Sequence, residues 1–460
     1  MKKYDAIIIG SGQAGTPLAK KLAGAGWKTA IIERALVGGT CINYGCTPTK
    51  TMIASARVAY LARRGKEFGV PAHGFKMDMA TVKARKDTVV TQFHDSTERQ
   101  LEKTKHLDVI YGEAAFTGEK NIAVKLNKGG QQELIAKYIF INTGGRTAIP
   151  KIEGLETVDY LTSTSILDLT EVPKHLLILG GSYIGLEFGQ MFRRFGSKVT
   201  ILDNSPRFLP REDEDIANEL RKILEDEGIT IHTDAKAEYI KKATQLSVRA
   251  FIEKEVKFLQ CSHILVATGR VPNTDGLSLQ LAGIKTDERG YICVNDKLET
   301  SVKGVYALGD VKGGPAFTHI SYNDHLVIVK NLLNEQKISI KGRPVPYCMF
   351  TDPELGRIGI TEQDARAQGK KIKVATLPMT YVARAIETGD TRGMMKAVVD
   401  AKSGKILGVA IIGTEGGEMM SVMQMAMAGG ITHMELRDTI FAHPTWSESI
   451  NNLFMALDKT

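Results

Sequence analysis

A stretch at residues 4–9 that is apolar except for Asp5 leads directly into a glycine-rich turn. Such a run predicts a buried strand, because the apolar positions do not alternate with polar ones. A helical pattern follows the turn, and a second apolar strand at residues 29–32 ends at Glu33. The turn has the spacing G-x-G-x-x-G and contains Gly10, Gly12 and Gly15. This order predicts a dinucleotide site, with the pyrophosphate at the helix start and a ribose hydroxyl on Glu33.

The same order of elements recurs near residue 176. An apolar strand at residues 176–179 precedes a second turn, and a strand at residues 199–202 ends at Asp203. The glycines of this turn are Gly180, Gly181 and Gly185. Ser182 occupies the middle position of the motif, which weakens this copy. Two unrelated glycine turns are the alternative, but an acid at the expected offset in both copies favours a second dinucleotide site.

Two further segments resemble each other and indicate an internally duplicated chain. Residues 138–145 and 263–270 are apolar strands that each close on Thr-Gly, with Gly144 in the first and Gly269 in the second. Another short strand ends in Asp310. From about residue 343 the pattern changes to alternating strands and a methionine-rich helix, which predicts a separate α+β domain.

Composition and charge exclude several classes of protein. The 460 residues are 43% hydrophobic and 24% charged, which is typical of a globular protein and excludes a disordered or fibrous chain. The formal net charge of +8 is dispersed, without the basic stripe of a nucleic-acid-binding protein. Neither an apolar run of about 18 residues nor a signal peptide is recognisable. We expect a cytoplasmic protein without a nucleic-acid or membrane partner.

Only two of the five cysteines, Cys41 and Cys46, lie close together in the sequence. They stand at the beginning of a helical stretch, where the helix dipole stabilises a thiolate. A redox-active dithiol is the favoured interpretation. The alternatives are two buried cysteines or half of a zinc site, although no second ligand pair is evident. We therefore expect no bound metal and predict that the remaining cysteines, Cys261, Cys293 and Cys348, are buried small residues.

The segment around these cysteines resembles the active-site signature of the pyridine nucleotide-disulfide oxidoreductases, flavoproteins that include dihydrolipoamide dehydrogenase and mercuric reductase. The resemblance extends over both glycine turns, both Thr-Gly strands and residues 441–448. It implies an α/β fold with two Rossmann-like domains, for FAD and NAD, and a C-terminal α+β dimerisation domain. The expected bounds are 1–150 for the FAD domain, 151–272 for the NAD domain, 273–343 for a central segment returning to the FAD domain, and 344–460 for the interface domain.

The resemblance also implies a role for individual residues. Cys41 resembles the thiol that meets the substrate, and Cys46 resembles the charge-transfer thiol beside the flavin. Lys50, paired with Glu187, is expected near the flavin ring, where a cation stabilises the reduced cofactor. The residues implied in FAD binding are Gly10, Gly12, Gly15, Glu33, Thr40, Lys50, Ala114, Thr143, Gly144, Asp310 and Thr318. Those implied in NAD binding are Gly180, Gly181, Gly185, Asp203 and Gly269.

Two interpretations compete for His443 and Glu448. Thr445 and Glu448 have the spacing of a capping box, so that Glu448 would only satisfy a helix N-terminus. That interpretation leaves His443 without a role. The resemblance instead makes His443 an acid/base at the dithiol of the partner subunit, oriented by Glu448, and thereby implies a homodimer.

Asp203 favours NADH over NADPH, because a carboxylate accepts a hydrogen bond from a ribose 2′-hydroxyl and repels a 2′-phosphate. Arg207, a few residues further on, could weaken that discrimination. The expected reaction passes electrons from NADH through FAD to Cys41 and Cys46, and then to a small disulfide or a metal ion.

Several segments are similar to a bacterial branch of the family that is associated with resistance to reactive chlorine and with NADH-dependent reduction of Cu(II) or Hg(II). They are residues 46–50, 208–213, 317–321 and 447–454. Dihydrolipoamide dehydrogenase remains an alternative, since it shares the His443 motif and NAD. A redox-sensing or partner-binding flavoprotein with little turnover is the alternative of another class.

Overall fold

The computed structural model describes residues 1–71, 74 and 76–459. Its first part alternates strands and helices, with α3 beginning at Cys46. The elements are β1 (Lys2–Ile9), α1 (Gly15–Gly24), β2 (Thr29–Glu33), α2 (Gly39–Tyr44), α3 (Cys46–Arg64), α4 (Met79–Glu102), β3 (Leu107–Phe116), β4 (Asn121–Leu126), β5 (Gln131–Ile141) and β6 (Gly145–Thr147).

The second part repeats this alternation. Its elements are β7 (His175–Leu179), α5 (Tyr183–Phe195), β8 (Lys198–Leu202), α6 (Glu214–Asp226), β9 (Ile229–His232), β10 (Lys236–Lys242), β11 (Leu246–Ile252), β12 (Glu255–Cys261), β13 (His263–Val266) and β14 (Arg270–Pro272). Strands β13, β7, β8 and β9 form a parallel sheet in that order, and β10 to β12 form an antiparallel sheet. Fully buried leucine and isoleucine side chains make β7 apolar on both faces, as the uninterrupted run predicted.

The chain then returns to the first sheet through β15 (Val305–Ala307) and continues into α7 (Thr318–Leu332). Strand β15 pairs with β5 in parallel, so the parallel order is β15, β5, β1, β2, β3. The pair β6 and β14 is antiparallel and joins the two dinucleotide-binding parts. Because ligands of such sheets bind beyond the carboxyl ends of the strands, we expect binding sites at the turns after β1 and β7.

The C-terminal part is a five-stranded antiparallel sheet with helices packed against it. Its elements are β16 (Tyr347–Met349), β17 (Glu354–Gly359), α8 (Glu362–Ala367), β18 (Ile372–Pro378), α9 (Ala383–Glu387), β19 (Met394–Asp400), β20 (Ile406–Gly413), α10 (Gly416–Gly429), α11 (His433–Asp438) and α12 (Ser449–Met455). Methionines of α10 are divided between the core and the surface, since Met419 and Met423 are buried while Met425 is exposed.

The first part has a mainly parallel sheet with an antiparallel strand β4, the second has a parallel sheet, and the C-terminal part has an antiparallel sheet. This combination of sheets with helices confirms the predicted fold class. Among the residues that the structure describes, no helix combines the length and the apolar character needed to cross a membrane.

Candidate functional site

The first glycine turn has almost no room for side chains. Gly10 has a φ of +100°, and a Cβ atom there would lie 2.4 Å from the backbone oxygen of Asn142. A Cβ atom on Gly15 would lie 2.1 Å from the Gly10 oxygen. Glu33 is buried at the end of β2, where its Oε2 accepts hydrogen bonds from the Ser11 amide at 3.0 Å and the Ser11 hydroxyl at 2.7 Å. The turn is therefore packed against protein backbone on one side, and on the other side it has no side chains that would keep a phosphate away from its amides.

The second turn reproduces the first in atomic detail. Gly180 has a φ of +110°, and its Cβ atom would lie 2.4 Å from the Ala267 oxygen. A Cβ atom on Gly185 would again lie 2.1 Å from the oxygen of the first glycine. Oδ2 of Asp203 lies 2.8 Å from the position of a Cβ atom on Gly181, and burial raises the pKa of Asp203. The acid and the turn thus form one unit in both copies.

Arg207 is directed away from this acid. Its Nη2 atom donates to the carbonyl oxygen of Pro210 at 2.6 Å and lies 3.3 Å from Oε1 of Gln363. These bonds engage the Nη2 atom of a guanidinium that could otherwise bind a 2′-phosphate. Gly269 follows β13 and has a φ of +130°. Apart from the adjacent residues, a Cβ atom placed there would have no neighbour within 4 Å among the described residues.

A cavity of about 1580 Å³ extends from the first glycine turn to the cysteine pair. Its walls include most of the residues implied in FAD binding: Gly10, Gly12, Glu33, Thr40, Lys50, Ala114, Thr143, Gly144, Asp310 and Thr318. Burial raises the pKa of Asp310, whose Oδ2 atom lies 3.6 Å from Nη2 of Arg270. FAD needs a cradle for its pyrophosphate and acceptors for its ribose hydroxyls. The glycine turn, the acids Glu33 and Asp310 and the continuous cavity fit these needs.

Cys41 and Cys46 both line this cavity, and both are free thiols. Cys46 is the first residue of α3, and its Sγ atom lies 3.2 Å from the Thr318 hydroxyl. A hydrogen bond from Cys41 lowers the pKa of Cys46 to about 6, and Thr318 and Lys50 act in the same direction against the effect of burial. The same bond, together with burial, raises the pKa of Cys41 above its ordinary range. Cys46 is thus stabilised as a thiolate, whereas Cys41 requires a base to remove its proton.

Lys50 reaches across from α3 to α5. Its Nζ atom lies 2.6 Å from Oε2 of Glu187, which is almost fully buried, and 4.7 Å from the ring centre of Phe350. The other carboxylate oxygen of Glu187 accepts from the Phe350 amide at 2.9 Å. Lys50 is therefore held beside the cysteine pair by a carboxylate that is itself fixed to β16 and its following loop.

His443 and Glu448 form a pair in the C-terminal part. The Nδ1 atom of His443 lies 3.0 and 2.9 Å from the two carboxylate oxygens of Glu448. Because an ionised carboxylate only accepts, Nδ1 carries the proton and leaves Nε2 free as a base. Thr445 accepts from the Glu448 amide at 3.2 Å, which is half of a capping box, while the Glu448 side chain is engaged by His443.

This pair does not lie with the other site residues within one chain. The imidazole is 67% exposed, and neither residue is among those that line the cavity. Two of the remaining cysteines also differ from the prediction of burial: Cys293 is exposed, and Cys348 is half-buried in the cavity wall, whereas Cys261 is buried. Cys293 follows the isolated β-bridge of Ile292 and belongs to none of the strands given above. In the described part of the chain, no group of three His, Cys, Asp or Glu side chains could hold a metal ion.

Sequence reasoning missed Asn142 as the close neighbour of the first glycine turn. A Cβ atom on any of the glycines at 10, 12 and 15 would approach this residue within about 3 Å. The signal was present, because Asn142 directly follows the apolar strand β5 and precedes the Thr-Gly pair. Its contact with a turn 130 residues earlier depends on the parallel pairing of β1 and β5.

Comparison with known proteins agrees with this geometry. Residues 4–324 match the pyridine nucleotide-disulphide oxidoreductase model, and residues 345–454 match the dimerisation domain of the same family. The chain belongs to the pyridine nucleotide-disulphide oxidoreductases, which use FAD and a pyridine nucleotide. This confirms the predicted enzyme class, and the second match agrees with the predicted homodimer.

Several relatives cover nearly the whole chain. The probable pyridine nucleotide-disulfide oxidoreductase RclA of Escherichia coli (strain K12) is 41% identical over 99% of both chains. Dihydrolipoyl dehydrogenase of Thermus scotoductus is 37% identical over 100% of this chain and 98% of its own, and mercuric reductase of Lysinibacillus sphaericus is 34% identical over 99% and 83%. The solved Cu(II) complex of the HOCl-induced flavoprotein disulfide reductase RclA from Escherichia coli superposes with a TM-score of 0.91, at 41% identity and 99% coverage of both chains.

Proposed function

We propose that this protein is an NADH-dependent flavoprotein reductase that delivers electrons through Cys41 and Cys46 to a disulfide or a metal ion. The observation that carries the proposal is the asymmetric thiol pair at the end of the cavity, with Cys46 at a helix start and 3.2 Å from Thr318. When bound, FAD supplies two-electron transfer between a pyridine nucleotide and this pair.

The thiol pair supports a disulfide exchange that balances in atoms and electrons. Cys41, once deprotonated, attacks one sulfur of an acceptor disulfide and releases the other sulfur as a thiolate. Cys46 then attacks the mixed disulfide, so that the acceptor leaves as two thiols and a Cys41–Cys46 disulfide remains. Two electrons have passed to the acceptor. One of the two protons comes from Cys41, and the second comes from solvent, because Cys46 is already a thiolate.

The raised pKa of Cys41 gives His443 its role in the proposal. At neutral pH Cys41 is a thiol, so its attack needs a base that removes the proton. His443 has a free Nε2 atom and an orienting carboxylate, yet it is exposed and outside the cavity of its own chain. We therefore infer that it serves the dithiol of the partner subunit.

The second turn supports NADH as the donor. Asp203 stands beside Gly181 and accepts from the Ser205 amide at 3.1 Å, and a carboxylate has further lone pairs for a ribose hydroxyl. The Nη2 atom of Arg207 is engaged by Pro210 and Gln363. A 2′-phosphate would meet a carboxylate there without a compensating cation.

The acceptor is tested by anaerobic oxidation of NADH and NADPH with four acceptors: lipoamide, glutathione disulfide, Cu(II) and Hg(II). Cu(II) has priority among the metal ions because a relative at 41% identity has been solved as its Cu(II) complex. Turnover with Cu(II) or a disulfide at rates above about 1 per second would support an enzyme. Turnover with none of them would favour the redox-sensing alternative. Lipoamide as the fastest acceptor would favour a dihydrolipoyl dehydrogenase, the function that the His443–Glu448 pair and the 37% identical relative also support.

A further inference from the structure

A stack of aromatic rings borders the cysteine pair. Tyr347 of β16 and Phe317 have ring centres 5.7 Å apart and planes inclined by 7°. Phe317 directly precedes Thr318, the residue whose hydroxyl lies 3.2 Å from Cys46. The position of the Phe317 ring therefore constrains the backbone that presents the Thr318 hydroxyl to the thiol.

The Tyr347 ring is anchored from another part of the molecule. Its hydroxyl donates a short hydrogen bond to Oε1 of Glu212, in the loop before α6. The other oxygen of Glu212 lies 3.2 Å from Nη1 of Arg357 in β17, and both of these side chains are almost fully buried. A buried ion pair resists displacement, because moving Glu212 away from Arg357 would leave a buried carboxylate uncompensated. Glu212 is consequently a fixed point for Tyr347.

Glu212 also ends the loop that begins at Asp203. Within this loop, Nη2 of Arg207 donates to Pro210 at 2.6 Å and lies 3.4 Å from the Glu212 backbone oxygen. The loop that carries the proposed nucleotide discriminator is thus joined, through Glu212 and Tyr347, to the segment beside the dithiol.

We propose that Tyr347, anchored by Glu212, is a positioning residue that holds the Thr318 hydroxyl against Cys46. This inference rests on the proposed function, in which Cys46 acts as a thiolate. The groups that face Cys46 are Cys41, Thr318, Lys50, Glu187 and Tyr183. Of these, only Thr318 is adjacent in sequence to Phe317, so a shift of the Phe317 ring should act on Cys46 through the Thr318 hydroxyl.

The test measures Cys46 itself in the holoenzyme, in a Cys41→Ser background. The rate at which iodoacetamide alkylates Cys46 is followed by mass spectrometry between pH 4.5 and 9, since only the thiolate reacts. Mass spectrometry separates Cys46 from the other cysteines, and the readout does not depend on turnover. We expect Thr318→Ala and Tyr347→Leu each to raise the pH midpoint by about one unit, the effect of losing one hydrogen bond to an ionised group.

Two further variants make the test specific. Tyr347→Phe keeps the ring but loses the bond to Glu212, and Glu212→Gln weakens the acceptor; we expect a smaller rise for both. The double variant Tyr347→Leu with Thr318→Ala should equal either single variant, because both remove the same contact. Tyr4→Phe is the matched control, since Tyr4 donates to Asp108 at 2.6 Å at the far end of β1 and its loss should leave the midpoint unchanged.

The outcomes separate the two proposals. The reference is the protein with Cys41 in place, because the bond from Cys41 is the first cause of the lowered pKa of Cys46. If Cys46 titrates like an ordinary thiol there, the support for the proposed function is removed. A parent midpoint near the expected value, a shift with Thr318→Ala and none with Tyr347→Leu or Tyr347→Phe would overturn only the positioning role. Additive effects in the double variant would overturn it as well. If Tyr347→Leu does not fold, Tyr347→Phe and Glu212→Gln decide the question, and unchanged midpoints in both contradict the inference.

Discussion

Lys50 and Glu187 stand 137 residues apart in the sequence, yet their side chains meet at 2.6 Å. The contact joins α3, which begins at Cys46, to α5, which follows the second glycine turn. A cation beside the thiol pair is thereby held by the part of the protein that is proposed to bind NADH. The Lys50–Glu187 ion pair thus connects the proposed NADH-binding part to the helix that carries Cys46.

Glu187→Gln should slow the reduction of the flavin by NADH about tenfold, equivalent to roughly 1.4 kcal/mol of activation free energy. Glutamine can still accept from the Phe350 amide but no longer compensates the charge of Lys50. Stopped-flow absorbance of the flavin measures the rate. Asp87→Asn is the control, because it likewise removes the acid of an ion pair of 2.6 Å, formed by Lys83 and Asp87 on the surface of α4. Equal slowing in both variants would show a general effect of charge and contradict the prediction.

The thiolate of Cys46 should be visible in the absorbance spectrum. With Cys41→Ser, the holoenzyme should carry a permanent long-wavelength band from thiolate-to-flavin charge transfer, whereas Cys46→Ser should carry none. The pKa of Cys46 is lowered first by a bond from Cys41, and the serine hydroxyl of the Cys41→Ser variant can donate in its place. The band should therefore be present at pH 8 and should fade at acidic pH. A titration of the absorbance measures the midpoint. A band that persists in Cys46→Ser would exclude Cys46 as its source.

Asp203→Ala should shift the preference between NADH and NADPH by about tenfold or more, because one carboxylate both accepts from the 2′-hydroxyl and repels a 2′-phosphate. The ratio of kcat/KM for the two nucleotides is the measurement. Asp226→Ala, which removes an exposed acid at the end of α6, should leave that ratio unchanged. If the parent protein uses both nucleotides with equal efficiency, Asp203 does not discriminate between them.

The local order of elements was predictable because each turn has a backbone geometry that only glycine can adopt. Gly10 and Gly180 both have a positive φ and both press against the carbonyl oxygen of a neighbouring strand. Spacing alone therefore located the turns, the acids at Glu33 and Asp203, and the helix that begins at Cys46, within a residue or two.

Contacts between distant segments were not predictable in the same way. Tyr347 meets Glu212 across 135 residues, and neither carries a motif of its own. Their bond depends on how β16 packs against the loop before α6, which is a property of the assembled domains. The sequence also could not show that Arg207 turns towards Pro210 rather than Asp203. Periodicity determines the elements, whereas the packing of long side chains between domains depends on the three-dimensional arrangement.

The last prediction concerns the exposed pair His443 and Glu448. His443→Ala should slow the reoxidation of the dithiol by a disulfide acceptor about a hundredfold, since a positioned acid/base contributes a factor of that order. Reduction of the flavin by NADH should stay fast, because the imidazole handles thiol protons and not hydride. Glu448→Gln should have a smaller effect in the same direction. His433→Ala is the matched control, since this histidine of the same domain is bonded to the Gly404 carbonyl oxygen instead.

Subunit mixing then decides which chain supplies the base. Cys41→Ser dimers and His443→Ala dimers each lack one required group in both sites. A heterodimer of the two contains one site with Cys41 from one subunit and His443 from the other, so random exchange should restore about a quarter of the parent activity. The measurement is disulfide-dependent NADH oxidation after exchange has been verified by native mass spectrometry. Because His443 is 67% exposed and lies outside the cavity of its own chain, we expect this recovery. Complete exchange without recovered activity would place the base and the dithiol in the same subunit.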